Sequence, residues 1–102
     1  MFDNQRFVTI GVQEKIGCDI QLIIWKLIDD MKQNNQLETD YLQVFDLYSI
    51  PDDDEPFLLI VHSQMDKQYE KLHKAYTLNH VNGKLFCIDD GSHTTLLLLS
   101  EY

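Results

Sequence analysis

With 102 residues, 44% of them apolar and 11% aromatic, the chain can bury one hydrophobic core and is too apolar to be a disordered segment. Seventeen acidic residues against eight basic ones give a formal charge of −9, and Arg6 is the only arginine. Direct contact with nucleic acid or with an anionic membrane needs clustered lysine and arginine, so the composition excludes both as direct partners.

The cysteines, Cys18 and Cys87, are far apart and form no CxxC pair, which removes zinc-finger and thioredoxin-type motifs. Both lie in or beside apolar runs, the setting of a small buried hydrophobe. No basic segment followed by an apolar stretch opens the sequence, and the run Leu96 to Leu99 is far too short to span a bilayer. These features predict a cytoplasmic protein.

In chain order, Val8, Ile10 and Val12 alternate, which predicts a first strand over Arg6 to Val12. Gly17 interrupts, and Asp19 is placed to cap or charge a helix over 19–33. Ile20, Ile23, Ile24, Leu27, Ile28 and Met31 form its apolar stripe, extended by Ile16, and Gln33 to Gln36 end it. Tyr41 to Tyr48 is aromatic and aliphatic enough for a strand. Pro51 to Pro56 is a loop, and the apolar run Phe57 to Val61 predicts a central, well-buried strand. Residues 66–74 fit helical spacing or a strand. Asn82-Gly83 is the strongest hairpin signal, pairing 75–81 with 84–88 so that Tyr76, Leu78 and His80 lie alongside Leu85, Cys87 and Asp89. Asp90-Gly91-Ser92 turns the chain into a last strand over Thr94 to Leu99. The result is a single α+β domain over 1–102. One main amphipathic helix packs on a mostly antiparallel sheet of five or six strands, with a short extra helix near 66–73 as the alternative for that stretch.

Chemistry is sparse. Asp89, Asp90 and His93 at a strand end are the one string able to hold a divalent cation or a base. Their spacing fits no calcium loop, and Asp, Gly and Ser are the residues of a tight turn. His62, His73, His80 and His93 form no paired ligand motif; His62 reads as a core or rim histidine and His80 as solvated. The four glycines are isolated, which removes phosphate-cradling loops. No catalytic residue, metal or cofactor is expected, and the chain reads as a non-enzyme. What remains is surface. Leu22 and Trp25 lie off the apolar stripe near Asp29, and tryptophan is a good interface anchor. The run Asp52, Asp53, Asp54, Glu55 is an acidic loop.

The order of these pieces resembles a small bacterial family known as domain of unknown function 960, of Gram-positive bacteria and their mobile elements. The similarity covers most of the chain. It lies in Gly11-Val12, Gln21-Leu22 with Trp25 and Ile28-Asp29, Tyr41 to Phe45, and His62 with Gln64. It is densest over Ile88 to His93 and in Glu101-Tyr102. Ser92 stands where the family pattern has an acidic residue, which weakens a metal reading of that turn, and Asp66 to Lys74 is longer than the pattern. The resemblance implies a cytosolic protein in a mobile-element context and supplies no activity.

Three functions follow as expectations. The first is a non-enzymatic protein-binding or regulatory module, acting on a protein partner or as a homo-oligomer through Leu22, Trp25, Asp29 and the acidic loop. The second is an acidic mimic of nucleic acid that blocks a DNA-binding or host-defence protein. The third is a small metal-dependent or ligand-binding enzyme using Asp89, Asp90 and His93.

Overall fold

A computed structural model describes residues 1–102. The elements are β1 (Gln5–Val8), α1 (Ile10–Lys15), α2 (Cys18–Lys32), β2 (Leu42–Ile50), β3 (Phe57–Gln64), β4 (Glu70–Ala75), β5 (Gly83–Asp89) and β6 (His93–Leu98), followed by a 3-10 turn over Leu99–Glu101. The strands form one sheet in the order β1-β6-β5-β2-β3-β4. It is mixed: β1 runs parallel to β6, and every other neighbouring pair is antiparallel. The fold is α+β and dominated by strands.

The stripe of α2 does what its spacing requires. Ile20, Ile24, Leu27, Ile28 and Met31 are buried, against Phe45 and Leu47 of β2, Leu58 and Ile60 of β3, and Leu85, Cys87 and Leu96 beyond them. Burying each of these side chains stabilises the fold by roughly 1.5–3 kcal/mol relative to exposure. Gly17 precedes the helix without a side-chain cap, and Asp19 Oδ1 accepts from the Ile20 N–H at 2.9 Å. Cys18, expected inside, is exposed because it opens the helix at this free end, whereas Cys87 is buried in the sheet.

The first strand is shorter than its alternation predicts. It stops at Val8, and Thr9 Oγ1 accepts from the Val12 N–H at 3.2 Å, capping α1. That local bond outweighs the period-two pattern. Ile10 consequently points outward, 72% exposed, while Val12 is fully buried.

Asn82-Gly83 makes no hairpin. Residues 76–82 are loop, Gly83 is the first residue of β5, and its φ is not positive. Asn82 Oδ1 instead accepts from the Ser49 N–H at 2.9 Å. β5 runs between β2 and β6, opposing Leu85 to Phe45 and Cys87 to Leu96. A local hairpin with the exposed Tyr76, Leu78 and His80 would leave Leu85 and Cys87 poorly covered, so the long-range pairing wins. The extra helix near 66–73 is also corrected: Glu70–Ala75 is edge strand β4, paired with β3. β3 itself is paired on both sides, yet it is not buried on both faces. Leu58, Ile60, His62 and Gln64 are buried, while Phe57, Leu59, Val61 and Ser63 are half-buried.

The turn at Asp90-Gly91-Ser92 forms as expected, with Gly91 at φ 97°. Its neighbour Asp89 has a structural task. Asp89 Oδ2 accepts from the Phe2 N–H at 2.7 Å, and Oδ1 accepts from Asn4 Nδ2 at 2.9 Å and the Gly91 N–H at 2.8 Å. Phe2 is thereby held fully buried at φ 62°, a left-handed conformation that a non-glycine residue adopts only when held. Burial raises the Asp89 pKa, but the three donors together outweigh it and leave the carboxyl below its usual 3.8.

Replacing Asp89 by alanine strands buried donors at the N-terminal segment. In urea denaturation D89A is expected to lose about 2–4 kcal/mol, whereas D90A, whose bonds are local and exposed, keeps a urea midpoint close to that of wild type. Equal losses would show that the tie between Asp89 and the N-terminal segment does not hold the fold.

Candidate functional site

The structure separates the sequence-predicted site residues. Asp89 points to the helix side and serves the N-terminal segment, while Asp90 and His93 lie on the exposed turn. Asp90 Oδ1 accepts from the Ser92 and His93 N–H groups at 2.9 Å each, and His93 Nε2 sits 3.2 Å from Asp90 Oδ2. The two carboxylates do not converge. The acidic residues Asp52, Asp53, Asp54 and Glu55 form an exposed loop between β2 and β3, whose side-chain hydrogen bond is internal, Asp52 Oδ1 accepting from the Asp54 N–H.

The helix patch is closed from the sheet edge. The Arg6 guanidinium, reaching from β1, lies 5.0 Å from the Trp25 ring centre and forms a two-pronged pair with Asp29. Its hydrogen bonds hold the Asp29 carboxyl below the usual carboxylate range. Trp25 is half-buried and packed against the core, which leaves Leu22, 68% exposed, as the apolar remainder of that patch.

A larger surface lies on the opposite side. Both helices pack on the sheet face formed by Phe45, Leu47, Leu58, Ile60 and their neighbours. No helix residue joins the apolar cluster on the other face. That face carries the alternate residues of every strand. In the middle, Leu42, Val44 and Phe86 form a small second cluster with Ile88 and Leu97, and Tyr102 lies over Phe86 with ring centres 4.9 Å apart. Around that cluster are Phe7, Tyr48 and Leu72, exposed by 44%, 46% and 58%, with Leu59 and Val61 half-buried. These apolar side chains share the face with Asp46, Ser63, Glu70, Lys74 and Lys84, on a kind of sheet face that normally alternates to polar.

Charge on this outer face is balanced. Lys84 Nζ lies 3.5 Å from Asp46 Oδ1, Lys74 sits 4.7 Å from the Phe57 ring centre, and Glu70 is the remaining carboxylate of its strands. The signal for this surface was present in the sequence, in the two-sided apolar runs of β3 and β5. Such a run reads equally well as a strand covered on both faces.

A family model described as "Staphylococcal protein of unknown function (DUF960)" matches residues 5–101. The chain belongs to this family. Its fold is also similar to a solved one, the crystal structure of a protein of unknown function from Enterococcus faecalis. That likeness has a TM-score of 0.75 at 24% identity and covers 98% of this chain and 92% of that one. At this identity it shows the fold alone. No curated protein matches the chain. No helix is long and apolar enough to cross a membrane.

On the helix side, a cleft of about 210 Å3 separates α2 from the edge strand β4, with Asp30, Asn34, Tyr69, Lys71 and His73 over a floor of Leu27, Met31 and Leu37. It is smaller than the roughly 300–1,000 Å3 usual for small-molecule sites. Near it lies a buried polar network that ties the helix-to-strand connection to β3. His62 Nε2 donates to Gln43 Oε1 at 2.8 Å, and Gln43 Nε2 donates to the Asp40 carbonyl and to Gln64 Oε1, each at 2.8 Å. Gln64 Oε1 also accepts from the Asp40 N–H at 2.7 Å. His62 is stacked on Phe45 and edged by Tyr69, and its Nδ1 is buried without a partner. Burial, with the positive charges of His73 and Lys71 beside it, lowers the His62 pKa to about 4.

The sign of the pH effect follows. Below about pH 6.5 the unfolded chain binds a proton that the folded chain refuses until about pH 4, so stability falls as pH drops through that window. Urea titrations between pH 7 and pH 5 should show wild type losing up to about 1.4 kcal/mol per pH unit more than H62Q. Parallel curves for the two proteins would place the His62 proton elsewhere.

Proposed function

We propose that this chain is a non-enzymatic protein-binding module and that its contact surface is the outer face of the sheet. The observation that carries the reading is the uncovered apolar surface bearing Phe7, Tyr48 and Leu72, around a cluster already buried by its own side chains. Exposed patches of this kind mark protein contacts, because burying them releases water at little conformational cost from a rigid sheet. The chemistry-bearing side chains support the non-enzymatic part. His62 is sealed in the core, Asp89 holds the N-terminal segment, and Asp90 and His93 stabilise a turn. Mimicry of nucleic acid is less well supported. Asp29, Asp30, Glu38 and Asp46 are each paired with a cation of the chain, which leaves the loop Asp52 to Glu55 as the concentrated acidic run.

The test is capture from the source cell with tagged chain as bait, scoring every retained protein, untagged copies of the chain included. Tyr48→Glu with Leu72→Glu places two charges on the outer face at exposed positions, and Leu22→Glu serves as the helix-side control. The double variant is expected to lose at least about 80% of the retained protein while the control keeps it. Retention by the double variant, or loss only after charge reversal of Asp52 to Glu55, would overturn the reading.

A further inference from the structure

We infer that the cleft between α2 and β4 binds a small zwitterion with an aliphatic tail, of the chemical class of a free branched-chain amino acid. The local sequence of each wall sets what faces the space. Leu27, Asp30, Met31 and Asn34 stand at i, i+3, i+4 and i+7, one face of α2 continued just past its end. On β4, Lys71 and His73 alternate onto the helix side, where they oppose the buried His62 and Ile60 of β3. Leu27, Met31 and Leu37 form an apolar floor that belongs to the core, and Tyr69 lines the same space with its ring 5.1 Å from that of His62.

The two walls carry opposite signs. The helix wall presents the Asp30 carboxylate in the last turn of α2, where the helix dipole adds negative partial charge, and so favours an ammonium group. Asp30 is held meanwhile by Lys26 at 3.1 Å, an exposed pair of the kind that contributes little and yields readily. The strand wall presents the Lys71 ammonium. Lys26 pairs with Asp30 and Lys67 with Glu38, which leaves Lys71 without a carboxylate of the chain. Burial, and then the Lys71 charge, lower the His73 pKa, so at neutral pH His73 is an uncharged imidazole with an N–H to donate. Burial likewise keeps Tyr69 a protonated phenol. A ligand bearing both charges satisfies both walls, whereas a simple anion would meet Asp30 unmatched and a simple cation would meet Lys71. The space, about 210 Å3, equals about seven water volumes of roughly 30 Å3 each. That suits about seven to nine non-hydrogen atoms, the size of leucine, with its aliphatic side chain on the apolar floor.

The test is a titration of the isotope-labelled full chain with L-leucine, followed by amide chemical shifts, which also report the folding of every variant. Shifts are expected at residues 30–34 and 69–73, with a Kd on the order of 0.1–1 mM for a ligand of this size. Isocaproate lacks the ammonium group and isoamylamine lacks the carboxylate, and each should bind at least about tenfold more weakly than leucine. Lys71→Met should weaken leucine at least about fivefold and leave isoamylamine no weaker. Asp30→Asn should weaken leucine by a similar factor and leave isocaproate no weaker. Lys84→Met, on the outer face beside Asp46, should change none of these. Isocaproate bound as tightly as leucine would make this a carboxylate site, and isoamylamine bound as tightly an amine site; either result overturns the zwitterion. So does the absence of localised shifts up to about 20 mM leucine, or shifts that map away from α2 and β4.

Discussion

A six-stranded sheet has two faces to protect, and the only long helix of this chain, α2, has fifteen residues. With α1 beside it, α2 covers one side, and the core of Phe45, Leu47, Ile60 and Leu85 is built under it. The other side receives only what its own side chains and the terminal Tyr102 supply. The shape of the molecule, its neutral outer face and the reading of its function all follow from that shortage of cover. The apolar residues of β2, β3 and β5 on that second side pack with one another beside Asp46, Lys74 and Lys84.

The remaining polar groups of the interior act as fasteners. Asp89 secures the N-terminal segment, with Phe2 buried beneath it, and Lys32 adds a hydrogen bond to the Phe2 carbonyl at 3.2 Å. At the same end of the sheet, on the neighbouring strand β2 and on β3, Asp40, Gln43, His62 and Gln64 form a closed amide-imidazole network that ties the connection after α2 to β3. In both places a buried polar group is satisfied by backbone donors or acceptors distant in sequence, and removing one partner would strand the others. The histidine and the carboxylate that looked most chemical are thus committed to holding the fold.

The candidate site was legible in part. Trp25 and Leu22 do lie off the helix stripe, but the indole is covered by Arg6, and nothing in the sequence spacing links a strand residue to a helix residue nineteen positions later. The acidic loop is where its prolines placed it and stays exposed. The outer face was written in the composition of β3, where Phe57, Leu59 and Val61 are as apolar as Leu58 and Ile60. Period-two alternation identifies a face only when the other face is polar, so a strand apolar on both sides cannot announce which one is left open.

Local chemistry determined the parts of this protein that depend on neighbours in sequence. The helix Cys18–Lys32 follows from its stripe, the turn at Asp90-Gly91-Ser92 from the need for a positive φ at Gly91, and the exposed loop from Pro51 and Pro56. Its acidity, with Arg6 as the lone arginine, was fixed by composition. The tertiary structure decided the rest. It made Glu70–Ala75 an edge strand. It overrode the Asn82-Gly83 hairpin in favour of β2 and β6 as the partners of β5. Each of these is a competition between a local hydrogen-bonding option and burial against residues far along the chain. A sequence states the first term of that competition, and only the folded packing supplies the second.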